Sequence, residues 1–163
     1  MPMKKSPSSK LITTLQLSPH PEGGFFRETY RAKQKIATCR GDRSASTSIL
    51  FLLACGHRSR LHRIQSDEQW HFYLGGPLKI IEIDSKGRVC QTILGPDLNR
   101  GQVLQHVVPA GRWFGAIPAP RARWSLVGCT VAPGFDFKDF ELGNRDELLR
   151  AYPHCRCWIL KLT

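Results

Sequence analysis

The sequence predicts an all-β barrel or sandwich with a short helix near each end, and three observations predict it. Short strand-like apolar runs recur with glycine, proline, aspartate or asparagine between them, the pattern of antiparallel strands joined by tight turns. No stretch of helical period separates these runs, which argues against a parallel sheet with crossover helices. Hydrophobic residues make up 41% of the 163, enough to offset the ordering entropy of one packed core, and the length suits one domain.

The elements follow in order. Residues 1–10 read as a flexible basic tail, and 11–163 as the single domain. Ser8 or Ser9 caps an expected helix over Lys10 to Leu17, whose Leu11, Ile12 and Leu15 make one apolar face. The prolines and glycines of Ser18 to Gly24 end it. From Phe25 the period becomes two, with Phe26, Glu28 and Tyr30 on one side of a strand. Strands are then expected at Ser46–Cys55, Arg60–Ile64, Gln69–Leu74, Leu78–Ile83, Val89–Leu94, Gln102–Val108, Arg112–Ile117 and Trp124–Val131. Asp84 to Gly87 reads as a hairpin turn. A second helix is expected at Arg145 to Ala151, behind an Asn144 cap with Asp146 and Glu147 in its first turn.

Composition narrows the function classes. The longest apolar run, Ile49 to Cys55, is far short of the ~20 residues of a membrane span. No apolar segment follows the basic start, so no secretory signal is read and a cytoplasmic location is expected. The six cysteines lack any Cys-x-x-Cys spacing. Cys55, Cys90 and Cys129 lie within or beside strand-like runs and are expected as buried free thiols. His154-Cys155-Arg156-Cys157 offers soft ligands, but no partner cluster for a zinc site stands elsewhere in the chain. The net charge is +11. That invites nucleic acid, yet the aromatics fall within strands and not along a basic stripe, so nucleic acid is disfavoured. Arginine outnumbers lysine, 15 to 9, and its planar fork suits phosphate or carboxylate recognition. Arg58, Arg60 and Arg63 flank His62, Arg112 and Arg123 flank a second motif, and Arg27 lies on the first strand. An anionic small molecule is the expected partner.

The chemistry concentrates between Gly56 and Gly76. Two strands joined by a polar turn at Gln65–Asp67 place His62 and Ile64 on one face, and Glu68, Trp70 and Phe72 on a face of the next. If both faces look inward, His62 and Glu68 converge in an aromatic-walled cavity. A histidine and a carboxylate there serve either metal ligation or general acid–base catalysis.

Gly56, His62, Glu68 and Gly75 resemble the first motif of the cupin superfamily, with Ile64 at its second histidine position. Pro109-Ala110-Gly111 resembles the second motif, with Phe114 where its histidine would stand. Pro19 to Gly24, Ser66 to Tyr73 and Gly128 to Phe137 together are similar to the cupin family often labelled cupin-5. The resemblance runs from about Leu11 to Pro153. It implies a single jelly-roll cupin barrel (a double-stranded β-helix), similar in fold to the sugar-nucleotide epimerase RmlC, and a homodimer.

On that reading the leading expectation is an epimerase or isomerase acting on an anionic, nucleotide-linked sugar without a cofactor. His62 is the candidate base, with Glu68 or Asp67 orienting its second nitrogen. Tyr30 or Tyr73 is the candidate acid, Tyr30 being favoured if its strand face lines the barrel. Trp70, Phe72, Trp113 and Phe114 would stack on the ligand ring. Glu22, Arg27, Arg60 and Arg123 complete the expected substrate contacts, Glu22 because prolines and glycines hold it in a defined place. The alternatives are a metal-dependent lyase or dioxygenase, using a divalent ion on His62 and Glu68, and a non-catalytic ligand-binding protein. His71, odd-spaced from Glu68, should point to the opposite face, leaving His106 or His20 as further candidate helpers to a metal.

Overall fold

The computed structural model describes residues 7–163, so most of the expected basic tail lies outside the described residues. The first helix, α1 (Pro7–Thr14), begins earlier than expected. Proline's fixed φ suits a first helical turn, and Ser8 and Ser9 lie inside the helix instead of capping it. Gln16, at φ 53°, turns the chain away. The strands then run β1 (Ser18–Pro19), β2 (Phe25–Arg31), β3 (Lys35–Ile36), β4 (Arg43–Ser44), β5 (Thr47–Ala54), β6 (Ser59–Ile64), β7 (Asp67–Gly75), β8 (Leu78–Ile83) and β9 (Val89–Leu94). They continue as β10 (Gln105–Val108), β11 (Trp113–Pro118), β12 (Trp124–Ala132) and β13 (Phe140–Leu142), before α2 (Arg145–Ala151) and α3 (Arg156–Leu162) close the chain.

Two antiparallel sheets pack face to face. One has the order β1-β2-β5-β12-β7-β10 and the other β13-β6-β11-β8-β9, with β3 and β4 forming a separate ribbon. The sheets do not close into a hydrogen-bonded ring. The architecture is a jelly-roll sandwich, the open form of the expected barrel.

Period-two alternation explains how each strand serves two layers. In β5, Phe51 and Leu53 point between the sheets and pack with Ile64, Trp70, Ile80, Phe114 and Val127. Leu52 points outward, where it meets Leu126 and the apolar face of α1. In β6, Leu61 faces outward beneath Leu148 of α2 and Ile159 and Leu162 of α3. Short helices therefore cover part of each sheet's outer face, which is why the central strands read as nearly continuous apolar runs.

Asn144 caps α2 as expected, its Oδ1 accepting the Asp146 and Glu147 amides. The Asp84–Gly87 turn also forms, with Asp84 Oδ1 accepting the Lys86 and Arg88 amides. Sequence reading missed α3, because Cys155 and Cys157 drew attention as ligands. Instead the Cys155 thiol, buried, donates to the Gly87 carbonyl, and His154 Nε2 lies 2.9 Å from the same oxygen. All six cysteines are free, but Cys55 and Cys90 are exposed and only Cys129 of the expected three is buried.

Candidate functional site

A cavity of about 340 Å³ opens between the sheets at the end where β2, β5, β6, β7 and β12 converge. Its polar walls include Glu22, His62, Glu68, His20 and Cys129, and its apolar walls include Phe26, Phe51, Ile64, Phe135 and Phe137. The expected convergence of His62 and Glu68 thus holds, and Ile64 stands beside them where a second histidine would complete the cupin motif.

Glu22 reaches this cavity through a turn that permits little variation. Gly23 (φ 110°) and Gly24 (φ 74°) occupy the left-handed region that favours glycine. A Cβ on Gly23 would stand 2.2 Å from the Arg58 carbonyl oxygen. The Glu22 carbonyl accepts the Arg60 amide at 2.8 Å, so the turn is stitched to β6. Glu22 Oε1 accepts the Ser59 hydroxyl at 2.8 Å, and Oε2 lies 3.0 Å from His62 Nε2.

The His62 geometry fixes its protons. Nδ1 lies 2.7 Å from the Arg60 carbonyl, which can only accept, so Nδ1 carries hydrogen. It is this backbone carbonyl, and neither Glu68 nor Asp67, that orients the second nitrogen; Asp67 instead accepts the Ala110 amide at 2.8 Å. Nε2 and Glu22 Oε2, 3.0 Å apart, are at ordinary hydrogen-bond distance, so a proton on either atom serves the pair. Burial lowers the His62 pKa, opposed by the Glu68 carboxylate and the Arg60 carbonyl. Burial raises Glu22 to about 6, against the pull of His20, Ser59 and Arg60. Burial likewise raises Glu68 to about 7, opposed by His62, reinforced by the charge of Glu22 and opposed again by the Cys129 thiol. Cys129 itself is pushed well up by burial and by Glu68, so it is a donor to that carboxyl and not a nucleophile. His20 Nδ1 accepts the Glu22 amide, and burial lowers its pKa too.

Several expected residues stand elsewhere. The β2·β5 register skips Thr29, pairing Glu28 with Ile49 but Tyr30 with Ser48. This bulge turns Tyr30 out to 56% exposure and brings Arg31 to the cavity in its place. Arg31 clamps Glu28 through Nε and Nη2 at 2.9 and 2.7 Å and donates to the Phe135 carbonyl. Tyr73 is also exposed, stacked parallel to His71 on the outer face of β7. His71 accordingly points away from Glu68, its ring bonded to Thr130 and Gln105.

The expected aromatic platform is core instead. Trp70 is fully buried, edge-on to Phe51 and Phe114. Phe114 packs on the His62 ring at 4.1 Å. Phe72 lies by a shallow outer depression with Tyr73 and Leu104, and Trp113 faces the helix layer under Arg63. Phe26, Phe51, Phe135 and Phe137 line the cavity in their stead, and of these Phe51 lay unremarked inside an apolar run.

The arginines expected to receive an anion are occupied or distant. Arg58 donates to the Lys161 carbonyl, Arg60 to the Pro21 carbonyl, Arg63 to Glu141 and Arg112 to Glu82. Arg27 bonds Gln16, and neither it nor Arg123 lines the cavity. His106 belongs to a separate cluster, 2.5 Å from buried Glu82. Among the described residues, no three His, Cys, Asp or Glu side chains are grouped to hold a metal ion. With Ile64 and Phe114 at histidine positions and His62 already bonded through both nitrogens, the residues present do not fit one.

Comparison with known proteins agrees with this architecture. Residues 9–143 match the family model described as Cupin superfamily (DUF985). The uncharacterized protein YML079W of Saccharomyces cerevisiae is 30% identical, over 91% of this chain and 82% of its own. A solved hypothetical protein from Leishmania major superposes with a TM-score of 0.91 at 35% identity, over 95% of this chain and 97% of that one. Protein SO0799 from Shewanella oneidensis gives 0.90 at 38% identity, over 98% of both. Oxalate decarboxylase from Bacillus subtilis shares the fold alone, with a TM-score of 0.58 at 14% identity over 90% of this chain and 37% of the enzyme's. The chain belongs to the DUF985 family of the cupin superfamily.

Proposed function

We propose that the cavity binds a compact carbonyl compound, sugar-sized or smaller, and moves protons on it as an isomerase or epimerase does. The observation that carries this reading is the pairing of two buried proton-holding groups in one cavity, the Glu22–His62 pair and Glu68. Their environments set them apart, Glu22 at about 6 and Glu68 at about 7. Between these values Glu22 is largely ionised and the Glu22–His62 pair can act as base, while Glu68 largely keeps its proton and can act as acid. The pair takes the carbon-bound proton next to the carbonyl, and Glu68 gives its proton to the carbonyl oxygen, leaving a neutral enediol. The pair then returns the proton to the neighbouring carbon while the Glu68 carboxylate takes the proton of the other hydroxyl, which gives the isomeric carbonyl compound and restores both groups.

His62 thus keeps the role of base, shared with Glu22, while Glu68 takes the acid role expected of a tyrosine. A volume of about 340 Å³ is at the small end of the roughly 300–1,000 Å³ of ligand pockets. That supports a single sugar unit inside, without a nucleotide.

The test is solvent deuterium incorporation, followed by proton NMR, with dihydroxyacetone, D-fructose, D-fructose 6-phosphate and D-glucosamine. The wild type should accelerate exchange next to the carbonyl of at least one of them. Glu68→Gln and His62→Asn should each cut that rate by roughly 10²–10⁴-fold, with a bell-shaped optimum between about pH 6 and 7 in the wild type. No acceleration across the panel, or full activity in Glu68→Gln, would overturn the reading.

A further inference from the structure

The walls of the cavity carry an unexpected sign for a chain of net charge +11. Four carboxyl groups line it, Glu22, Glu28, Glu68 and Asp136, against one guanidinium, Arg31. Arg31 is not available to balance the others, because both of its Glu28 contacts are short and a third donor goes to the Phe135 carbonyl. The two histidines add little positive charge, since burial disfavours the protonated form of each. The Cys129 thiol is likewise held neutral.

Asp136 stands at the mouth between Phe135 and Phe137, whose rings meet edge to face at 5.0 Å. Its Oδ1 accepts the Lys138 amide; Arg31 and Arg43 act on its charge, but their direct ion pairs are with Glu28 and Asp139. Phe26 lines the same cavity, and His20 meets Phe26 edge to face and stacks on Phe137. Phenylalanine rings and a carboxylate outside any direct ion pair are surroundings that favour an organic cation, because ring faces are electronegative and a carboxylate accepts ammonium hydrogen bonds. An anion entering here would meet like charge with no free guanidinium to receive it.

We propose that the ligand carries a protonated amine, seated at the mouth against Asp136 and the surrounding phenylalanine rings, while its uncharged end reaches Glu68 and His62. This deepens the proton-transfer reading and rests on it for the identity of the inner end. It also replaces the anionic ligand that the arginine content suggests.

Benzylamine, benzyl alcohol and benzoate are close in shape and differ in charge, so they are the probes. Binding is followed by amide chemical shifts in two-dimensional NMR at about pH 7. Benzylamine should bind at least about tenfold tighter than benzyl alcohol, the difference of one charge-assisted hydrogen bond, with benzoate weakest. Shifts should concentrate at Phe135 to Phe137. Asp136→Asn, which keeps the Lys138 contact, should weaken benzylamine several-fold and leave benzyl alcohol unchanged. Benzoate binding as well as benzylamine, equal binding of all three, or no binding by any would overturn the amine. The proton-transfer reading is judged separately, on deuterium exchange with the uncharged sugars, so the two can fail independently.

Discussion

Replacing Glu68 by glutamine isolates the energetic consequence of burying that carboxyl. Glu68 is 7% exposed, and its pKa is raised from the ordinary 4.5 to about 7. The folded protein therefore binds this proton more tightly than the unfolded chain does. The stabilisation is complete below about pH 4.5, declines as pH rises, and is gone above about pH 7. Between about pH 5 and 8 the wild type should lose roughly 2–3 kcal/mol from this group, because each tenfold difference in proton affinity is worth ~1.4 kcal/mol. Glutamine has nearly the same shape and no proton to lose, so Glu68→Gln should not share that loss. Glu22 remains in both proteins and contributes little to their difference. Urea unfolding at both pH values measures the effect. The variant should gain about 2–3 kcal/mol on the wild type at the higher pH relative to the lower. A difference between the two proteins that does not change with pH would refute the burial argument.

Other perturbations test separate parts of the structure. Gly23→Ala places a Cβ against the Arg58 carbonyl in left-handed backbone and should cost at least about 2 kcal/mol, or roughly 4–8 °C in melting temperature. Gly111→Ala shares the positive φ but meets no atom within 4 Å, so an equal drop there would refute the packing argument. Arg31→Ala removes the contact to the Phe135 carbonyl; hydrogen exchange at Asp136 to Lys138 should quicken about threefold or more, while the Phe135 amide, bonded to Thr47, stays protected. Dialysis against a chelator should move the melting temperature by less than about 1 °C, and elemental analysis should find less than about one-tenth of a metal ion per chain. A larger melting shift or a stoichiometric metal would contradict the reading of Ile64 and Phe114.

Much of the fold is legible because alternation and turn chemistry are local. The β8 and β9 boundaries, the Asp84–Gly87 turn and the Asn144 cap each follow from residues within a few positions of one another. The convergence of His62 with Glu68 is legible for the same reason, since only the short Gln65–Ser66 link separates the two strands that carry them, although these lie in opposite sheets. Tyr30 and Arg31 were not, because one skipped residue at Thr29 reverses every side chain after it, and no local signal marks that bulge. The sequence also marks Glu22 as held in place but not its partner, because the approach of Glu22 to His62 depends on stitching between the Glu22 carbonyl and β6. Net charge describes the whole chain and not this cavity. The arginines beside His62 in sequence alternate outward or bond to carbonyls, while carboxyl groups scattered from Glu22 to Asp136 collect in one cavity.

The central claim is that two carboxyl groups in this cavity hold their protons well above the ordinary glutamate range, and at two different values. Carboxyl carbon-13 NMR titration reads it directly, with Glu22→Gln and Glu68→Gln assigning the two signals by their disappearance. Midpoints of about 6 for Glu22 and about 7 for Glu68 are the result the structure predicts. Both signals titrating near the ordinary glutamate value of 4.5 would contradict it.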